Sequence, residues 1–379
     1  MILNLVLIKI FILLLAHYIF FLMKIFSGLK KLKPSESASI PDEFISVIVP
    51  FRNEERNILA NLKSIETQDY PKEKFEIIYV DDSSEDNSLN LLQDNKIADN
   101  IKVLSVPEEF SVNAHKKRAV RYGIENSSGK IIVTTDADCV HDKKWLSSLV
   151  SNLDEETGFV SGPVEFIEGA TLFSKIQKLE FAGLIITGAG LIGAGNPTIC
   201  NAANIAYKKE AYDNVGGFKN QMDLSSGDDE LFMQKIAKDS DYKVRFSVSK
   251  NSIVKTHSNR NVTEFYHQRK RWASKGLFYG NKNLIIKLVL IYLFYIGLVL
   301  QPIFAVTLSG YFFLSLITSL LLKSIFEYLI LNRGKKILFN DLSLKLFIIV
   351  ELLQVPYIII AGLVGAFGNL KWKERKIKR

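Results

Sequence analysis

The chain has 379 residues, 48% of them hydrophobic and 23% charged, with a formal net charge of +8 and a mean hydropathy of +0.13. A positive mean hydropathy beside that many charges requires the two residue classes to be segregated along the chain. The combination excludes a disordered, collagen-like or disulfide-built protein, and two cysteines, Cys139 and Cys200, supply neither a disulfide framework nor a metal cluster.

Residues 2–23 are apolar except for Asn4, Lys9 and His17. As a helix this stretch spans about 33 Å, close to the thickness of the bilayer hydrocarbon. Lys24, Lys30, Lys31 and Lys33 follow the apolar run instead of preceding it, and no A-x-A site comes after. An uncleaved anchor over residues 1–23 is therefore expected, not a signal peptide, with its basic flank in the cytoplasm. A basic and polar linker, 24–43, leads to a soluble domain over 44–283.

Within that domain, residues 44–50 read as a buried strand ended by Pro50, and 54–67 as a helix with Ile58, Leu62 and Ile65 on one face. Strands at 75–80, 101–106 and 130–135 alternate with helices at 89–97 and 115–126. This alternation predicts an α/β fold with a mostly parallel, doubly wound sheet and ligands at the strand carboxyl ends. No G-x-G-x-x-G fingerprint is present, so a dehydrogenase-type dinucleotide fold is not supported.

The second strand ends in Asp81-Asp82-Ser83-Ser84 and the fourth in Asp136-Ala137-Asp138. Either motif alone is a plausible turn or helix cap. Two acidic strand ends in one alternating unit point instead to a crevice where carboxylates meet a divalent metal, Mg²⁺ or Mn²⁺, and through it a diphosphate. Farther on, Gly227-Asp228-Asp229-Glu230 opens an amphipathic helix, where a carboxylate either complements the helix dipole or serves as a general base. The glycine-containing run 183–195 reads as an interfacial helix or loop, too short to span a membrane and without the lysine of a Walker motif. His257 and His267 fall near the expected crevice, without ligand spacing.

Gln268-Arg269-Lys270-Arg271-Trp272 precedes a second apolar tract, 284–322, long enough for two crossings that turn near Gln301-Pro302 or Ser309-Gly310. A third tract, 344–370, contains Lys345, Glu351, Gln354 and Pro356. Three crossings after the anchor would put the basic tail 371–379 outside, against the positive-inside rule, so the region 284–370 is expected to hold two or three helices with the last re-entrant or interfacial. The positive charge reads as membrane-flanking lysine, and no nucleic-acid surface is expected.

Taken in order, Val47-Ile48-Val49-Pro50-Phe51-Arg52-Asn53-Glu54-Glu55, Val80-Asp81-Asp82-Ser83-Ser84-Glu85-Asp86, Thr134-Thr135-Asp136-Ala137-Asp138 and Gln268-x-x-Arg271-Trp272 resemble the membrane-bound family 2 glycosyltransferases, inverting enzymes with a GT-A fold. The resemblance covers about residues 44–275. The family's Glu-Asp pair stands here as Asp228-Asp229. The resemblance implies a nucleotide-sugar donor, a UDP-sugar first of all, bound near Pro50, Glu54, Asp81, Asp82, Lys116 and Asp136. It implies a metal on Asp138 and a base at Asp229 with Asp228 beside it. Asn204, Gln268, Arg271 and Trp272 fall on the acceptor and diphosphate side. The expected acceptor is a lipid or lipid-linked glycan at the cytoplasmic face of a bacterial inner membrane. A processive polysaccharide synthase and an inactive nucleotide-sugar-binding membrane protein are the alternatives.

Overall fold

The computed structural model describes residues 2–34, 41–96, 98–108, 110, 115–219, 227, 229–274, 279–367, 370–372 and 375–377. The chain begins with helix α1 (Ile2–Lys31) and enters the sheet at β1 (Ile45–Phe51). Then follow α2 (Ile58–Glu66), β2 (Phe75–Asp81), α3 (Ser88–Asn95), β3 (Ile101–Ser105), α4 (His115–Glu125) and β4 (Ile131–Thr134). The β-branched residues of these strands fill the centre: Val47, Ile48, Val49, Ile77, Ile78, Ile132 and Val133 are fully buried. Strands covered by helices on both faces need such continuous apolar runs, and β1 and β2 are buried along their whole length.

The seven-stranded sheet has the order β3-β2-β1-β4-β8-β6-β9, with β6 (Thr157–Ser161), β8 (Ile205–Lys208) and β9 (Lys243–Phe246) completing it. Strands β1 to β4 are parallel, as the alternation predicts, whereas β8 runs antiparallel to both β4 and β6. The reversal has a local cause. After β5 (Val140–His141), α5 (Trp145–Val150) and β7 (Val164–Phe166), the chain leaves the sheet along the helix α6 (Leu172–Gly193). It returns at the carboxyl end of β4, so β8 can only run backward beside that strand. Strands β5, β10 (Val254–Thr256) and β7 form a small second sheet. The helices α7 (Lys209–Asn214), α8 (Glu230–Asp239) and α9 (Val262–Ala273) complete the sheet-containing half.

Among the described residues, five helices are long and apolar enough to cross a membrane: α1, α6, α10 (Lys282–Thr307), α11 (Tyr311–Ile337) and α12 (Phe347–Phe367). The second tract breaks at residues 308–310, and α10 passes through Pro302. The glycine run is no loop: it is the second half of α6, a 22-residue helix packed along α1 and α11. Its glycines allow that approach, since a Cβ on Gly28 of α1 would lie 1.8 Å from the Gly190 carbonyl oxygen. Phe347 at the start of α12 packs on Tyr328, and Gly365 near its end meets Ala273 at the end of α9. Helix α12 thus returns to the sheet-containing half, away from the α10–α11 turn at the other end of the bundle. The strands β11 (Leu370–Trp372) and β12 (Arg375–Ile377) follow, and β11 contacts α9.

Candidate active site

The loops leaving β1 and β2 are fastened to each other. Arg52, 5% exposed, donates from Nη1 to the carbonyls of Asp82 (2.9 Å) and Ser83 (2.6 Å) and from Nη2 to Glu85 (2.6 Å). Asn53 and Ser83 both have left-handed φ, +52° and +63°. Such backbone costs roughly 1–3 kcal/mol per residue and persists only where its surroundings over-determine it. Here they do: Asn53 accepts from the Glu85 N–H (2.8 Å), and its own N–H reaches Ser84 Oγ (3.1 Å). Asp81 accepts from the Ser84 N–H (3.0 Å), and Asp82, 2% exposed, is ion-paired with Arg118 of α4. Glu54 is held through its N–H on Ser88 Oγ (2.7 Å) and its carboxylate on Asn57 (2.8 Å).

The turn after β4 is supported from beneath. His141 bridges Ser64 Oγ (2.9 Å) and Thr135 Oγ1 (2.8 Å), with its ring 4.1 Å from that of Trp145. Burial pushes the His141 imidazole down to about 3, so it stays neutral and bonds through both nitrogens. Asn61 donates to the carbonyls of Asp136 (3.1 Å) and Cys139 (2.8 Å). The Asp136 carboxylate pairs with Lys116 at 2.5 Å.

Asp229 caps α8. Its Oδ1 accepts from the Glu230 N–H (2.7 Å) and its Oδ2 from the Ala202 N–H (3.1 Å). Capping and facing the cavity are therefore not alternatives for this carboxylate; one side chain does both. Asp228 lies outside the described residues.

On α9, Gln268 accepts from Asn259 (2.9 Å) and from Arg269 (2.7 Å). Arg269, 2% exposed, pairs with Glu180 of α6 and lies 4.2 Å over the Trp272 ring. Gln177 of α6 both donates to and accepts from the Asn259 backbone, at 3.0 Å each. The helix bearing Gln268, Arg271 and Trp272 is thereby clamped to the helix that runs along the membrane bundle.

Three adjoining cavities converge on Asp138 and Arg271, which line all of them. The first, about 160 Å³, lies among Pro50, Glu54, Asp82, Lys116 and Asp136. The second, about 350 Å³, holds Asp229, Trp272, Gln268 and the 200–203 loop on one side and Phe181, Leu184, Ile185 and Gly188 of α6 on the other. The third, about 640 Å³ and open, is lined by polar side chains including Arg260, Glu264 and His267. His257 belongs to the second cavity.

Asn204 does not join them. It is fully buried, donating to the carbonyls of Pro163 (2.8 Å) and Ser252 (2.7 Å) and accepting from Trp145 Nε1 (3.0 Å). Its amide pins three strand ends together, and its predecessors 200–203 are what reach the cavity. Asp81, spent on its own turn, lines none of the three cavities.

Among the described residues no three His, Cys, Asp or Glu side chains cluster as a ready-made metal site. Asp136 and Asp138 nevertheless offer hard oxygens in one cavity beside Lys116. That donor set fits a small divalent cation that takes one or two carboxylates from the protein and the rest of its shell from phosphates.

Sequence reasoning missed Arg52, Glu180 and Arg269. Each is a charge held by tertiary contacts, for which local pattern carries no signal except the burial-compatible i, i+3 spacing of Arg269 and Trp272.

Residues 46–216 match the family described as Glycosyl transferase family 2, a span that holds the first two acidic motifs and stops before Asp229 and α9. The chain is 29% identical over 244 residues to Glycosyltransferase AglE of Haloferax volcanii, covering 62% of this chain and 72% of that one. It is 29% identical over 185 residues to a poly-beta-1,6-N-acetyl-D-glucosamine synthase of Staphylococcus epidermidis, covering 48% of this chain but only 43% of that protein. The solved mannosyltransferase PcManGT of Pyrobaculum calidifontis, in complex with GDP-Man and Mn²⁺, superposes with a TM-score of 0.59 at 20% identity over 95% of this chain and 98% of that one. That likeness shows a shared fold.

Proposed function

We propose that this chain, whose residues 46–216 match glycosyl transferase family 2, is a glycosyltransferase that moves a sugar from a nucleoside-diphosphate sugar, a UDP-sugar first of all, to a hydroxyl of a lipid or lipid-linked glycan. The carrying observation is the pair of cavities meeting at Asp138 and Arg271, one walled by acidic and basic side chains and the other by the apolar face of α6.

The donor's nucleotide takes the first cavity, against Pro50, Glu54 and Asp82, with Asp136 toward the ribose. Lys116 and Arg271 supply positive charge where the leaving diphosphate gains negative charge. A divalent cation on Asp138, Mg²⁺ or Mn²⁺, would neutralise the same charge when bound. The acceptor enters the second cavity, its lipid along Phe181, Leu184 and Ile185 and its head against Trp272. Asp229, oriented by two backbone N–H groups, takes the proton of the acceptor hydroxyl as the oxygen attacks the anomeric carbon. Attack opposite the leaving group needs one base and inverts the configuration.

The lysines closing α1 and the basic residues at the end of α11 flank the catalytic half, which supports a cytoplasmic face for it. A helix α12 that returns to α9 would keep the basic tail on that same side.

The test is donor consumption by the detergent-purified full chain across UDP-, GDP- and dTDP-sugars with Mn²⁺, Mg²⁺ or EDTA, followed by transfer into extracted polar lipids. Metal-dependent release of one nucleotide, lost in Asp138→Ala, with single-sugar lipid products is the expected result. A long polymer would replace this reading with a processive synthase. No release with any donor would leave a binding protein.

A further inference from the structure

Glu230 and Tyr279 line the same cavity as Asp229, and neither is among the site residues that the sequence points to. The Tyr279 hydroxyl donates to Glu230 Oε2 at 2.9 Å. Glu230 is the first residue of α8, and its N–H is one of the two that orient Asp229. Tyr279 stands just ahead of α10, whose first turn is capped by Asn281. One phenol thus joins the segment entering the first C-terminal membrane helix to the helix end that presents the carboxylate. Burial, reinforced by the charge of Glu230, pushes the Tyr279 phenol well above its ordinary range, so it remains a donor. A hydrogen bond to a carboxylate is among the stronger kinds.

We propose that Tyr279 and Glu230 are a positioning pair, through which the membrane-entering segment sets the reach of Asp229 toward the acceptor hydroxyl. This deepens the glycosyl-transfer reading and rests on it. The Ala202 N–H comes from the loop after α6 and is independent of the pair; the Glu230 N–H is not. A Glu230 released from Tyr279 turns its backbone with its side chain, and a proton acceptor slightly out of place loses rate steeply.

The experiment uses the full chain in detergent and two readouts. In Tyr279→Phe, hydrogen exchange is expected to quicken about tenfold over residues 229–236 and stay unchanged elsewhere, in line with one lost bond to a charged group. With the donor that the unmodified enzyme consumes in the panel above, kcat for transfer falls about tenfold while the donor KM stays within about twofold. Glu230→Leu is expected to match that loss, the double variant to be no worse than either single one, and Glu230→Gln, whose amide oxygen still accepts the phenol, to lose less than half as much. Unchanged exchange at 229–236 or an unchanged kcat in Tyr279→Phe overturns the proposal. So does faster exchange throughout the chain, which marks a purely structural contact. Asp229→Asn run in parallel separates the two claims: if it transfers normally, the base assignment has failed, and the exchange measurement still decides whether the pair positions the helix end.

Discussion

Ion pairs occur in two very different places in this molecule. In the first cavity Lys116 and Asp136 meet at 2.5 Å with 22% and 34% of their side chains exposed. Inside the membrane bundle Lys323 of α11, 1% exposed, touches Glu327 (3.0 Å), Glu351 of α12 (2.7 Å) and Gln354 (2.7 Å). Tyr18 of α1 donates to Glu327 (2.5 Å) and shares a hydrogen bond with Tyr295 of α10 (3.0 Å). The chemistry is the same and the solvent is not. Near water a charge pair gains little and exchanges partners cheaply, so under the proposed function this pair gives way to a diphosphate. In an apolar surrounding neither partner has anywhere else to go, so the cluster fastens α1, α10, α11 and α12 together and keeps α12 against α9.

Changing single charges breaks or sharpens that contrast. The largest effect belongs to the reacting centre: Asp229→Asn should lower transfer by about 10²–10⁴-fold, as loss of a general base does, with unchanged nucleotide binding by calorimetry. Next comes Lys323→Met, which leaves Glu327 and Glu351 facing each other. A loss of about 3–5 kcal/mol is expected, read as a fall in melting temperature in detergent. A melting temperature equal to that of the unmodified chain would remove the cluster from the list of fastenings. Lys116→Met should do the reverse, raising the donor KM about tenfold while hardly moving the melting temperature. Gly28→Leu probes the same bundle without charge: the side chain has no room against Gly190, and separation of α1 from α6 should weaken transfer to lipid more than release of nucleotide to water.

The smallest effect is the pH dependence carried by His141. Its folded value lies at about 3 and its ordinary value near 6.5, so the unfolded chain binds the proton that the folded one refuses. Stability attributable to this group is fully present above pH 6.5 and declines as pH falls from 6.5 toward 3, by at most about 1.4 kcal/mol per unit. His141→Asn should flatten that limb in pH-dependent unfolding; an unchanged slope assigns the loss to other groups.

Much of this architecture is legible in the chain. The runs from Ile45 and Phe75 could only be buried strands, and Asp136-Ala137-Asp138 after the fourth strand had to stand over its carboxyl end. Of the two expected turns, Ser309-Gly310 is where the tract breaks and Pro302 is not, because a long apolar helix carries a proline more easily than it ends inside a membrane. Of the two readings of the run 183–195, helix and loop, the helix is what forms through Gly193; its glycines serve the close approach to α1 and do not break α6. Asn204 had the residue type and the neighbourhood of a site residue, yet its amide faces Pro163, Ser252 and Trp145.

What the sequence by itself determined was periodicity, segregation of apolar tracts, and acidic groups at strand ends, since each depends on neighbours within a few residues. Only the tertiary structure decided that β8 reverses, that Asp229 is both cap and cavity wall, and that Arg52 and Arg269 are buried anchors. It alone brings Glu230 to Tyr279 and Lys323 to Glu351. Those outcomes depend on which distant surfaces exclude water from a charge, and local sequence carries no record of that.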